Sequence, residues 1–223
     1  MSATLMISPP AAFPSHPLDC PAFEYELHAK KKQVLPTRVA DLLKDLVAGR
    51  VDTKAIALDT RDVHDRCFRE LTPDCCAYYA GHYRGENFRC LLYYPVGVQS
   101  DPRVGCPPQS VGAYMRELGD ILGSAFIALD SNASVSPRER LRYLVVIVAR
   151  AFELFLRIHP FANGNGHAGR LLVWSAFGRY KHWPRKWPVE PRPTGSQYID
   201  SIVAHRNGDP ARLELYLLSM LTP

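Results

Sequence analysis

Hydrophobic positions recur with helical spacing over most of the chain. Val39, Leu42, Leu43, Leu46 and Val47 predict a helix within 26–48, closed by Gly49, with Pro36 either kinking it or marking its true start. A further helix is expected over 53–71, stopped near Thr72-Pro73, and another at about 110–129. The clearest start is Ser136-Pro137-Arg138-Glu139: a capping serine, a proline at the first helical position and a glutamate three residues on. The helix it opens runs through Leu144, Val148, Phe152, Phe155 and Ile158, and its apolar surface is too broad for anything but a central position. A second apolar helix follows through Leu171, Leu172, Val173, Trp174 and Phe177, then helices near 194–205 and after Asp209-Pro210.

Between these helices the pattern changes. From Ala77 to Tyr94, aromatic runs flank Gly85-Glu86-Asn87, which predicts a β-hairpin. Residues 95–109 carry four prolines and two glycines and read as an irregular excursion. Residues 1–22 form a proline-rich arm, with neither a signal peptide nor a membrane span in their pattern. The expected architecture is one mainly α-helical domain over 23–223 with a single hairpin.

Composition narrows the function classes. The chain has 223 residues, 47% hydrophobic and 22% charged, so it is expected to build a sizeable core rather than remain disordered or fibrous. A net charge of +5, dispersed along the sequence, is too mild to make nucleic acid the partner but suits an anion site. Lys30-Lys31-Lys32 and Arg138, Arg140 and Arg142 read as solvated faces, while His182, Trp183 and Trp187 read as packing of the C-terminal loop. Six cysteines with no C-x-x-C pair and no metal spacing read as reduced core thiols of a cytoplasmic protein, the adjacent Cys75 and Cys76 included.

The chemistry concentrates in His159-Pro160-Phe161-Ala162-Asn163-Gly164-Asn165-Gly166-His167-Ala168-Gly169-Arg170. Pro160 ends the first apolar helix at His159. Gly164, Asn165 and Gly166 bring a nearly bare backbone into the start of the next helix, where free N–H groups and the helix dipole favour an anion. Arg170, one turn in, offers a bidentate fork for phosphate. Asn163 offers an oxygen for a metal bridging two phosphates, and His159 suits a general base. Phe161 reads as a hydrophobic anchor for the loop. His159 and His167 lack a cysteine or carboxylate in the loop to complete a zinc site.

These residues resemble the signature of Fic (Fido) domain proteins, H-x-F-x-(D/E)-G-N-G-R-x-x-R, with His159, Phe161, Gly164, Asn165, Gly166 and Arg170 in register. Gly81-x-Tyr83-Arg84 and the closing Gly208-Asp209-Pro210 extend the resemblance over roughly residues 50–221. It implies a Fic-fold helical bundle with a β-hairpin flap, acting as a protein adenylyltransferase. His159 would deprotonate a target hydroxyl; Gly164, Asn165 and Gly166 would hold the phosphates of ATP; Arg170 would neutralise the terminal ones; Asn163 would hold Mg²⁺. A target protein would dock along the flap at about 95–109. The motif departs from the family at Asn163, which replaces an acidic residue, and at His167, which replaces the first arginine and would stand in part for it as a nucleotide-binding residue against the phosphates. These departures leave open a weakened nucleotide- or partner-binding module, or transfer of UMP, phosphocholine or phosphate. No match to the family's inhibitory [S/T]-x-x-x-E-[G/N] pattern occurs, so the resemblance implies restraint by a separate antitoxin-like protein or by the weakened site itself. A cytoplasmic location is expected, with a secreted effector as the alternative.

Overall fold

The computed structural model describes residues 16–98, 101–132 and 134–221. Helices make up 62% of it. In chain order they are α1 (Lys31–Val47), α2 (Thr53–Leu58), α3 (Arg61–Phe68), α4 (Pro108–Ser131), α5 (Pro137–Ile158), α6 (Asn165–Arg179), α7 (Ser196–Arg206) and α8 (Ala211–Leu221), with short 3₁₀ turns between some of them.

The expected capping box opens α5: the Ser136 hydroxyl accepts from Glu139 N–H at 3.3 Å, and the Glu139 carboxylate accepts from Ser136 N–H at 3.2 Å. Helix α6 is buried on nearly every side and packs against α2, α3 and α5. Two of its glycines allow close approach, one by α5 and one by the loop after α6. A Cβ on Gly169 would lie 2.9 Å from the Phe152 ring of α5, and one on Gly178 would lie 2.1 Å from Trp183. The core therefore sits around α5 and α6, and the loop joining them is held from within.

Four expectations fail. The helix over 53–71 is two helices, because Asp59 adopts extended geometry and its carboxylate accepts from Arg61 N–H at 3.0 Å, ending α2 and opening α3. The β-hairpin at 77–94 is absent: no strand occurs among the described residues, and the segment is a 3₁₀ turn (Asp74–Tyr79) followed by successive tight turns. Its aromatics do not alternate between two faces. Tyr79, Tyr83, Leu91 and Tyr94 are all buried, and the Arg84 N–H donates to Pro160 O at 2.8 Å rather than to a partner strand. In the expected flap at 95–109, only an isolated bridge between Val98 and Asp101 has β geometry among the described residues.

The third and fourth concern side chains. Cys20 and Cys90 form a disulfide, so the six cysteines are not all reduced core thiols, and Cys75 is exposed rather than buried. The chain folds back from residue 20 so that the two Cα atoms lie 5.6 Å apart, which permits the bond. Lys31, expected in a solvated run, instead reaches Glu190 at 3.3 Å. Among the described residues no helix is long and apolar enough to cross a membrane.

Candidate functional site

Helix α5 ends because Pro160 cannot continue it, and His159 takes the left-handed conformation, φ 54° and ψ 62°. That turn swings the imidazole back towards the helix end, where Nδ1 donates to Leu156 O at 3.1 Å. The bond fixes the tautomer and leaves the Nε2 lone pair available. Burial holds the imidazole down to about 4, with the Arg84 and Arg206 cations adding to the effect. His159 is therefore neutral at pH 7 and able to accept a proton.

The loop that follows turns its carbonyls inward. Asn165 closes it as a ring, accepting from Phe161 N–H at 2.8 Å and donating to Phe161 O at 2.9 Å. Phe161 is fully buried and stacks on His64 at 3.7 Å. His64 accepts from Gly81 N–H at 3.0 Å through Nδ1, so its Nε2–H donates to Asn163 O at 2.9 Å. Gly164 has φ +75°, and a Cβ there would lie 2.5 Å from the Phe68 ring. With the carbonyls so occupied, the N–H groups of Asn165 and Gly166 donate to no atom among the described residues. They are the first two amides of α6, at the positive end of its dipole.

These groups line one open cavity of about 840 Å³, together with His159, Arg170 and the α7 residues Tyr198, Ile199 and Val203. Arg170 is buried, its Nε donating to Val189 O at 2.9 Å and its Nη1 lying 3.5 Å from Tyr198 Oη. Arg206 borders the cavity and bonds Asp101 and Glu153, each at 2.8 Å, which holds the residues around 101 against α7.

The two variant positions are both engaged by the chain itself. Asn163 Nδ2 donates to Phe23 O at 2.7 Å and to Glu26 at 3.0 Å, while Oδ1 accepts from Gly164 N–H at 2.7 Å. Its oxygen thus has one lone pair committed. No group of three or more His, Cys, Asp or Glu able to hold a metal occurs among the described residues. The donor set does not form a resident metal cage; a divalent ion here would depend on oxygens brought by the ligand. His167 Nε2 lies 2.6 Å from the Glu190 carboxylate, which Lys31 also contacts. The His167 bond holds the Glu190 carboxyl below its ordinary range, and burial holds the His167 imidazole down.

Sequence reasoning missed Tyr25, Glu26 and Glu190 on the cavity wall and His64 beneath the loop, and it gave Arg84, part of the Gly81-x-Tyr83-Arg84 match, no role at the site. They lie between 23 and 142 residues from their partners in the motif, and nothing in their local pattern signals the contact.

The amides at the start of α6 could donate to an anion, and the neutral His159 beside them could accept a proton. A family model described as the Fic/DOC family matches residues 57–176, over half of the chain, and this protein belongs to that family. The family typically comprises nucleotidyl and other group transferases, which supports a Fic-type transferase function in general. No curated protein matches the chain.

Proposed function

We propose that the protein transfers a nucleotide monophosphate, foremost AMP from ATP, onto a hydroxyl side chain of a target protein. The observation that carries this reading is one cavity holding both the open Nε2 of His159 and the two open amides of Asn165 and Gly166. Nε2 takes the proton of the target hydroxyl as its oxygen attacks the α-phosphorus. The bond from that phosphorus to the bridging oxygen breaks, and pyrophosphate leaves with the electron pair. The α6 amides and Arg170 stabilise the charge on the phosphate oxygens, so positioning and electrostatics do most of the work. Mg²⁺ enters with the nucleotide as part of the substrate, and the target docks beside residues 95–109. A separate antitoxin-like protein is a candidate inhibitor.

Incubation with α-labelled ATP and Mg²⁺, beside His159→Ala, tests this reading. Label on the protein or on a target with the native chain, and none with the variant, is expected. Absence of label with ATP, UTP and the other common nucleotides rejects nucleotide transfer.

A second reading is favoured by the engagement of Asn163 by Phe23 and Glu26, and of His167 by Glu190. Here the site binds a nucleotide or a partner without turnover. Labelling that arises only after Asn163→Asp with His167→Arg supports it.

A further inference from the structure

Beneath the motif loop lies a buried cation that the reaction does not touch. Arg84 is 1% exposed. Its Nε donates to His159 O at 2.8 Å, Nη1 to Tyr94 O at 3.2 Å, and Nη2 to Ile158 O at 3.1 Å and Cys106 O at 3.2 Å. Its own N–H donates to Pro160 O at 2.8 Å. Every one of these acceptors is a backbone carbonyl. The charge is compensated by dipoles, among them the last carbonyl of α5, Ile158, and that of its C-cap His159, where the helix carries its negative end.

The placement has a geometric consequence. His159 holds a left-handed conformation that a residue with a Cβ adopts only at some cost. The carbonyls of Ile158, His159 and Pro160 bracket that residue on both sides, and Arg84 binds all three. Fixing these peptide planes fixes the direction of the His159 Cα–Cβ bond, and with it the Nδ1 contact to Leu156 O. A lysine at 84 would carry the charge but has a single nitrogen, which cannot span carbonyls from four separate residues in the planar fan a guanidinium provides.

We propose that Arg84 is a positioning residue for His159: its guanidinium holds the carbonyls around the left-handed turn so that the imidazole presents a bare Nε2 to the cavity. The inference rests on the reading of His159 as the base, yet its central observable needs no turnover. Histidine-selective ¹⁵N spectra of the native protein, with His159 assigned through His159→Ala, should show Nδ1 protonated and Nε2 bare at neutral pH. In Arg84→Lys the His159 signals should move to a mixture of the two tautomers, while those of His64 and His167 stay in place and the nucleotide dissociation constant changes less than about twofold. Where transfer is measurable, kcat should fall by about 10²-fold with KM for nucleotide nearly unchanged.

A folded Arg84→Lys protein with native His159 signals overturns the proposal. Should that variant fail to fold, the native protein still decides. A through-hydrogen-bond coupling between Arg84 Nε and the His159 carbonyl carbon is expected, and its absence rejects the assignment. A changed tautomer in Arg84→Lys together with no transfer by the native chain upholds the positioning role and rejects only the transferase reading.

Discussion

The side-chain amide of Asn163 donates to the backbone carbonyl of Phe23 at 2.7 Å, joining the motif loop to a segment 140 residues earlier in the chain. The same amide reaches Glu26, and Tyr25 packs on Phe68 with ring centroids 4.7 Å apart, so residues 23–26 lie against the loop as a strap. The strap supplies hydrogen-bond acceptors, and Asn163 is the donor they require.

Asn163→Asp follows directly from that arrangement. A carboxylate would face the Phe23 carbonyl and the Glu26 carboxylate with no proton to give. Asn163 is half-buried, so the expected cost is about 1 kcal/mol, the low end of the penalty for a polar group left without its partner. Thermal melting at pH 7 checks it, and an unchanged midpoint would show that the strap does not depend on this donor.

Gly164→Ala tests the loop itself. Its backbone sits at φ +75°, and the added methyl would lie 2.5 Å from Phe68 and 3.0 Å from His64 Nε2. Both rings are buried, so neither can move away cheaply. The loop should be displaced and nucleotide binding lost by at least about tenfold, read by titration calorimetry, while the helical far-ultraviolet signal persists.

Cys20 and Cys90 are separated by 70 residues, and closing a loop of that size removes about 4 kcal/mol of disorder from the unfolded chain by the loop-entropy relation. Reduction by a small dithiol, or Cys20→Ser, should lower the melting temperature by several degrees. The effect should be absent for Cys75→Ser, whose thiol is exposed and in no disulfide. Equal melting of oxidised and reduced protein would contradict this.

Stability should also fall in mild acid. Burial holds His64 down to about 3 and His159 down to about 4, against an ordinary value of 6.5. Between those limits the unfolded chain binds protons that the folded chain refuses, so stability rises with pH through the window. The contribution is complete above about pH 6.5 and is lost as pH falls towards 4, with His159 alone worth about 3 kcal/mol. Melting curves from pH 8 to pH 4.5 measure this, and a flat profile would refute it. The rate should show no acidic limb near pH 6.5, because His159 is already neutral there.

Legibility followed range. The cap at Ser136, the stop at Pro160 and the apolar faces of α5 and α6 depend on neighbours within a turn or two, and their residue types express them. The aromatic run at 77–94 misled because burial and alternation are different things. Tyr83, Leu91 and Tyr94 face one core without pairing as strands, and Arg84 between them is fully buried. The break at Asp59 was hidden by helical periodicity on both of its sides.

The sequence alone determined that two apolar helices meet at a glycine-bearing turn with a histidine before it and an arginine after it. Each part of that statement is written in residues close together in the chain. Tertiary structure decided what those residues face: Glu190 against His167, Phe23 and Glu26 against Asn163, Arg84 behind His159, and Cys20 beside Cys90. Hydrophobic periodicity states that a position is buried but not which distant group it is buried against, and that identity arises only when packing brings remote segments together.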